Sequence, residues 1–241
     1  MFIRLFALFL FISGVMGCGK KGPPLPPEAV RPEPPKDLRI RLEPFFVELS
    51  FKIPVENIRG QALSRIKAFR IEKRRYPAEN PRLTMVQTLK IPFRGKLSEQ
   101  ERFYYRDRNL RPGFCYEYRV SAIKGFRSES DWTPPQKFCW FTPPKTPEGF
   151  EIKTLPLHQV FLTWKPVTRD LNDFALPGKP LYRIYRRSSK ETRVFPPIPD
   201  NAFYDLSAQA GETYCYSVEP LLPYYGTLIP GFKTPEICVR P

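Results

Sequence analysis

The segment YRDRNLRPGFCYEYRVSA, residues 105–122, decides the fold because FYDLSAQAGETYCYSVEP, residues 203–220, repeats its pattern. Both segments contain an aromatic residue, any residue, Asp, five residues, Gly, two residues and then Tyr-x-Tyr-x-Val. In both, the tyrosines and the valine alternate with other residues, as in a strand that buries one face. A pattern repeated at this distance indicates two copies of one structural unit.

Short segments with the same period-two alternation surround the motif in the first copy. Strands are predicted at residues 37–42, 47–53, 68–73, 84–91, 116–122 and 136–141, with one more ending near residue 105. Matching segments recur in the second copy. Seven short strands without helical periodicity predict a β-sandwich. The chain is therefore predicted to be all-β, with sandwiches at residues 36–144 and 145–241.

Each copy resembles a fibronectin type III domain. The first copy carries the motif Leu-x-Pro-Gly-x-x-Tyr-x-Tyr-x-Val-x-Ala of that family at residues 110–122. The second copy has the family's Leu-x-Trp before a proline, with Trp164 at the position that Phe51 takes in the first. It departs from the family by placing Pro220 where the first copy has Ala122. The resemblance implies two tandem immunoglobulin-like β-sandwiches.

The N-terminus predicts export and lipidation. Arg4 precedes an apolar run at residues 5–15, which is typical of a secretory signal peptide and too short to span a bilayer. The following VMGC, residues 15–18, resembles the lipobox of bacterial lipoproteins. That resemblance implies a signal peptide at residues 1–17, and a diacylglycerol and an N-acyl chain such as palmitate on Cys18. The alternative is an ordinary secretory signal followed by a pairing thiol.

Residues 18–35 contain seven prolines and predict a semi-rigid tether between the lipid and the first sandwich. The start of this segment, CGKKGPP, resembles the acylated N-termini of small outer-membrane lipoproteins, one of which accompanies the lipopolysaccharide-export translocon. The resemblance implies the periplasmic face of the outer membrane, with the cell surface as an open alternative. It also implies an envelope protein partner, such as an outer-membrane assembly or lipopolysaccharide-export component. We expect no other cofactor and no nucleic acid.

Five cysteines leave an even number once Cys18 carries lipid. Cys115 and Cys139 take the same places in the first copy as Cys215 and Cys238 in the second. In this fold the sixth and seventh strands are antiparallel neighbours, and facing residues on them are close enough to bridge. We therefore predict the disulfides Cys115–Cys139 and Cys215–Cys238. Metal binding by these cysteines is the disfavoured alternative, because no Cys-x-x-Cys pair is present.

Catalysis is not predicted. His158 is the single histidine of the chain, and it lies in a predicted turn. Asp107 and Asp205 recur at the same position in the two copies, which favours turn residues that accept hydrogen bonds from backbone amides. The acidic segment at residues 169–173 lacks the glycine and the distal glutamate of a dedicated calcium loop. We expect a non-enzymatic protein without a metal site.

Two kinds of surface are candidates for binding. The loop at residues 221–232 has more large apolar side chains than a hairpin can bury, and the corresponding loop of the first copy is a weaker candidate. Basic residues follow the third strand of both copies, and the net charge of +15 suits an anionic partner. The candidate residues are Leu222, Tyr224, Tyr225, Leu228, Phe126, Trp132, Arg74, Arg75, Arg186 and Arg187.

Each of these two surfaces also has a structural interpretation that involves no ligand. The apolar residues of the loop can extend the strands or pack on the first domain, and the arginines can be a solvated strand edge. The expected function is a lipid-anchored, non-catalytic envelope module that presents two sandwiches to a protein partner in the periplasm. The alternative function is binding of an anionic glycolipid or polysaccharide through the arginine-rich corners.

Overall fold

The computed structural model describes residues 25–98 and 101–241. The strands of the first half are β1 (Lys36–Glu43), β2 (Phe46–Lys52), β3 (Ala68–Pro77), β4 (Met85–Pro92), β5 (Arg102–Asp107), β6 (Phe114–Gly125), β7 (Ser128–Glu129) and β8 (Gln136–Trp140). Those of the second half are β9 (Glu151–Thr154), β10 (Val160–Thr163), β11 (Leu181–Arg187), β12 (Thr192–Val194), β13 (Ala202–Asp205), β14 (Tyr214–Tyr224), β15 (Thr227–Pro230) and β16 (Ile237–Val239). Two short 3-10 turns lie at Pro27–Val30 and Pro156–His158.

The first sandwich consists of two antiparallel sheets. One has the strand order β1-β2-β5, and the other has β4-β3-β6, with β7 and β8 both paired to β6. Alternate residues of β2, β3 and β6 are fully buried between the sheets: Val47, Leu49, Phe51, Phe69, Ile71, Tyr116, Tyr118 and Val120. The period-two pattern therefore identified the core face, because each sheet buries only one side.

The second sandwich repeats this arrangement. Its sheets have the orders β9-β10-β13 and β12-β11-β14, with β15 and β16 both paired to β14. Trp164 is buried in its core. The hairpin of β11 and β12 is shorter than that of β3 and β4. The predicted fold class is confirmed: the chain is all-β, with two tandem β-sandwiches.

Each sandwich has one disulfide on the outer face of its sixth strand. Cys115 is bonded to Cys139, and Cys215 is bonded to Cys238. In both cases the two cysteines are direct partners across the antiparallel pair, β6 with β8 and β14 with β16. The bridges therefore join neighbouring strands of one sheet and do not cross the space between the sheets.

The N-terminal end of the described chain is attached to the first sandwich. The 3-10 turn Pro27–Val30 lies beside β7, and Arg31 forms a 2.7 Å ion pair with Asp131. Pro32 bridges to Asn57. The tether predicted through residue 35 therefore packs on the sandwich from residue 27, because its backbone and Arg31 find partners there. The predicted signal peptide and Cys18 lie outside the described residues.

Within residues 25–98 and 101–241, no helix has both the length and the apolar character needed to cross a membrane.

Candidate protein-docking surface

The hairpin of β14 and β15 is the main feature of the junction between the sandwiches. Its strands are joined by Tyr225 and Gly226, which both have positive φ angles, 44° and 75°. Two such residues form the tight turn whose twist matches that of an antiparallel pair. Tyr224 and Thr227 face each other just before and after the turn. The aromatic segment noted in the sequence is therefore an ordered hairpin.

One face of this hairpin belongs to the core of the first sandwich. Leu222 and Ile229 are opposite each other in the hairpin, and both are fully buried among the first sandwich's core residues. The ring of Tyr224 lies 5.2 Å from that of Phe141. Burial also raises the pKa of the Tyr224 hydroxyl. Leu222 is therefore inaccessible to an external partner, because the first domain covers it.

Backbone contacts fix the same junction. The backbone amide of Cys139 donates a hydrogen bond of 2.9 Å to the Thr227 hydroxyl. A Cβ atom at Gly231 would meet the carbonyl oxygen of Pro144 and lie 2.8 Å from Cγ of Pro220. The close approach of the hairpin to the proline linker therefore requires glycine at this position.

The acidic segment at residues 169–173 also holds the linker. The amide of Leu171 donates to the carbonyl of Pro143, and Lys145 forms an ion pair with Asp173. Asp170 is buried, and its Oδ1 accepts hydrogen bonds from the amides of Asn172 and Phe174. The segment is a structured turn that packs against the linker.

Part of the junction remains open to solvent. Phe45, in the turn between β1 and β2, is 63% exposed, and its ring lies 5.0 Å from that of Phe232. Tyr225 at the hairpin turn is 57% exposed, and Leu228 on β15 is also exposed. We call Phe45, Tyr225, Leu228 and Phe232 the junction patch. It combines two sequence candidates with two aromatic residues that were not chosen as candidates.

The corresponding hairpin of the first sandwich, β6 with β7, has a different setting. Phe126 at its apex is 83% exposed. Trp132 is half-buried, and the guanidinium of Arg119 lies 4.7 Å from its ring centre. Arg119 is itself held by two hydrogen bonds to Glu72, of 2.9 and 2.8 Å. Of the two candidates in this hairpin and the loop after it, Phe126 is the accessible one.

The predicted cationic corners are largely neutralised. Lys73 is only 3% exposed, and its ammonium lies 2.7 Å from Oδ2 of Asp107. The Tyr118 hydroxyl donates to the same oxygen at 2.7 Å, while Oδ1 accepts the amide of Asn109 at 2.8 Å. Burial raises the pKa of Tyr118 above its ordinary value. Lys73 thus balances the buried carboxylate of the predicted turn aspartate.

The second sandwich builds the same group with arginine. Arg186 is 4% exposed, and its Nη1 lies 2.8 Å from Oδ2 of Asp205. Tyr216 donates to that oxygen at 2.8 Å, and the Ser207 amide donates to Oδ1 at 2.9 Å. Although burial opposes ionisation, hydrogen bonds from Ser207, Tyr216 and Arg186 hold the pKa of Asp205 below its ordinary value. The prediction of an exposed corner is wrong for Arg186, because the side chain is in the interior.

The remaining corner arginines also have partners. Arg74 pairs with Glu72 at 2.8 Å, and Arg187 pairs with Glu236. The guanidinium of Arg75 lies 5.6 Å from the ring centre of Phe114. The charges of Arg74 and Arg187 are therefore paired with acids, while Arg75 packs on an aromatic ring and keeps its charge.

No grouping of three or more His, Cys, Asp or Glu side chains suited to a metal ion occurs within residues 25–98 and 101–241. His158 is exposed in the 3-10 turn Pro156–His158, with a positive φ of 60°. The turn position predicted for this residue is confirmed.

No protein-family model matches the chain, and no curated protein matches its sequence. Solved structures that resemble it include the FN1–FN3 domains of chicken CNTN1, at 12% identity over 88% of this chain and 68% of that one, with a TM-score of 0.46. A two-domain fibronectin type III segment of chicken tenascin aligns at 15% identity over 87% of this chain and 100% of that one, with a TM-score of 0.34.

Sequence periodicity contained a signal for the buried cations. Lys73 has the same parity as Phe69 and Ile71 on β3, and Arg186 has the same parity as Ile184 on β11. A cation in phase with core residues faces inward and needs a buried acid. Phe45 had no comparable signal, because its exposure depends on how the second sandwich packs.

Proposed function

We propose that this chain is a lipid-anchored, non-catalytic envelope module that presents two sandwiches as one unit to a protein partner in the periplasm. The junction patch supports this proposal best. Exposed aromatic residues such as Phe45 and Phe232 that lie against each other between two domains are typical of protein interaction surfaces. The anchor on Cys18 and the periplasmic address rest on the resemblance of the N-terminus to lipoproteins.

The interdomain packing supports the idea of a single unit. Leu222 and Ile229 of the second sandwich complete the core of the first, so the two domains present their surfaces in a fixed relation. The patch contains residues from both sandwiches. A partner that binds it would therefore recognise the assembled pair of domains rather than either domain alone.

The partner can be tested by photocrosslinking in intact cells. A benzophenone amino acid is placed at Leu228 or Phe232, with Tyr204 as the control position, since Tyr204 is exposed on the second sandwich away from the patch. We expect one shared adduct from the two patch positions and none from the control. Phe45→Asp should abolish the adduct, while Tyr104→Asp, a matched exposed aromatic on the first sandwich, should not. The same adduct from Tyr204 would contradict the proposal.

The anchor is tested separately. Cys18→Ser should move the chain from the membrane fraction to the soluble fraction when the membranes are washed at high salt, which screens contacts with anionic headgroups. Mass spectrometry of the wild-type N-terminus should find the acyl groups. A wild-type N-terminus without acyl groups would refute the lipid anchor without affecting the junction patch.

A further inference from the structure

The apex of the first hairpin is uncovered in the described part of the chain. Phe126 projects from the turn between β6 and β7, and the Arg127 guanidinium lies 5.3 Å from its ring centre. A single exposed aromatic side chain is common on protein surfaces and proves nothing alone. Phe126 differs from such isolated residues because of the charged side chains at the same end of the sandwich.

Exposed cations surround this apex. On β3, Ala68 pairs with Ile123 of the hairpin on one side and with Pro92 of β4 on the other. The loop before β3 and the loop after β4 therefore lie at the same end of the sandwich as Phe126. Together with the hairpin turn, these loops carry the exposed cations Arg59, Arg65, Lys67, Arg94, Lys96 and Arg127.

Few acids oppose this charge. None of the six cations forms an ion pair within residues 25–98 and 101–241, where the first sandwich's pairs use other cations. The described parts of the same loops contribute two exposed acids, Glu56 and Glu101. The described part of this end therefore has six exposed cations and two exposed acids, and Phe126 and Ile58 are exposed apolar side chains at the same end. Apolar groups within a basic surface fit the boundary between anionic headgroups and acyl chains.

The chain also enters the sandwich at this end. The 3-10 turn Pro27–Val30 lies beside β7, and the amide of Ile58 donates to the carbonyl of Arg31 at 3.1 Å. Leu25 is the first described residue, seven positions after Cys18. Seven residues span at most about 25 Å. A lipid on Cys18 would therefore keep this end close to the bilayer.

We propose that this end of the first sandwich docks on an anionic phospholipid surface, with Phe126 inserted at the headgroup boundary and the six cations facing the headgroups. The inference rests on the proposed lipid anchor for the side that faces the bilayer. It goes beyond that proposal because it gives the first sandwich its own membrane-binding surface and an orientation. The junction patch, at the opposite end of the first sandwich, then points away from the membrane.

The insertion is tested with the acylated chain in vesicles of phosphatidylethanolamine and phosphatidylglycerol at three to one, made with brominated acyl chains. The chain carries Phe126→Trp, or Phe174→Trp as a matched exposed position on the second sandwich, and the signal of the unsubstituted chain is subtracted. We expect the bromines to quench the F126W indole and not the F174W indole. Both positions are exposed, so neither substitution disturbs a core.

The charge is tested with the chain from residue 18 carrying Cys18→Ser, so that binding to the same vesicles does not depend on an acyl group. Replacing Arg94 and Lys96 by alanine should weaken vesicle binding about thirtyfold, from about 1 kcal/mol for each cation near an anionic surface. Replacing Lys153 and Lys165, exposed cations of the second sandwich, should leave it unchanged. Equally strong binding to phosphatidylcholine vesicles would overturn the role of the cations.

The outcomes separate the two proposals. If acylated protein floats with the vesicles through Cys18 but the F126W indole is not quenched, the docking surface is wrong and the anchor stands. If mass spectrometry finds no acyl group on Cys18 of the chain made in cells, and that chain floats with its F126W indole quenched, the anchor is wrong and the docking surface stands. If neither form of the chain binds, both are wrong.

Discussion

The β14–β15 hairpin and the β6–β7 hairpin are the same element in two copies of one fold, yet their surroundings differ. The second is inserted into the first sandwich, where Leu222 and Ile229 are fully buried. The first ends in Phe126, which no described residue covers. Among the described residues, the first sandwich packs against the hairpin of the second, and no other domain packs against the hairpin of the first.

This difference distinguishes the features that both sandwiches share from those that depend on where a sandwich lies in the chain. The sheets, the disulfides and the buried Asp–Tyr–cation groups recur in both sandwiches and therefore belong to the fold. The role of the hairpin changes, because the second hairpin packs on another domain and becomes a connection, while the apex of the first is exposed in the described part of the chain. The apolar content of such a loop does not by itself identify a binding site.

The largest expected effect concerns the buried Asp–Tyr–cation group, which both sandwiches contain. Asp107→Ala leaves Lys73 buried without a counter-charge, and Asp205→Ala leaves Arg186 with the exposed carboxylate of Glu191 as its remaining partner. Each should lower the free energy of unfolding by about 3–5 kcal/mol. Urea unfolding followed by circular dichroism measures this, with the exposed Asp200→Ala as the control. If the free energy of unfolding fell by less than about 1 kcal/mol, these buried ion pairs would not be needed for the stability of the shared fold.

The next prediction tests the hairpins directly. Ile229→Ala should cost about 2–5 kcal/mol because it leaves a cavity in a well-packed core. Phe126→Ala, at the exposed apex, should change the stability by less than about 0.5 kcal/mol. Because Ile229 packs in the first sandwich, its loss should also speed amide hydrogen exchange in β3 and β6. Exchange changes confined to the second sandwich would contradict the insertion.

Glycine substitutions in the two hairpins should give a smaller difference in stability. Gly231→Ala places a methyl group against Pro144 and Pro220, which should cost about 1–3 kcal/mol or separate the hairpin from the linker. Gly125→Ala in the first hairpin meets no atom within 4 Å and should be nearly neutral. Thermal unfolding of the two variants side by side measures the difference. Equal melting temperatures would show that the linker does not constrain the second hairpin.

The smallest expected effect is a pH dependence. The folded-state pKa of Asp205 lies below its ordinary value of 3.8, so its stabilising contribution is complete above that pH. The contribution is lost as the pH falls from about 4 through the lowered pKa, because the unfolded chain then binds more protons. Stability measured from pH 6 down to pH 2 should therefore decline less steeply in Asp205→Asn than in the wild type. An unchanged slope would show that Asp205 is not responsible.

The sequence predicted the sheets well, because period-two alternation reports burial on one face and the repeat supplied each strand twice. It also predicted both disulfides, since neighbouring strands place Cys115 opposite Cys139. It did not predict the burial of Arg186. This residue stands in a run of basic residues, and its acidic partner Asp205 lies 19 residues away in the sequence. The sequence also could not show which apolar residues of the second hairpin are buried. Leu222 is buried and Leu228 exposed because of the way the first sandwich packs on the hairpin.

The insertion of the second hairpin has a consequence for the time course of biosynthesis. The core of the first sandwich includes Ile229, which follows Trp140 at the end of β8 by 89 residues. At about 5–20 residues per second, the ribosome needs roughly 4–18 seconds to make that stretch. During this interval the first sandwich has all of its own strands but an incomplete core. If the chain is exported while still being made, the first domain reaches its final stability only when the last part of the second has emerged.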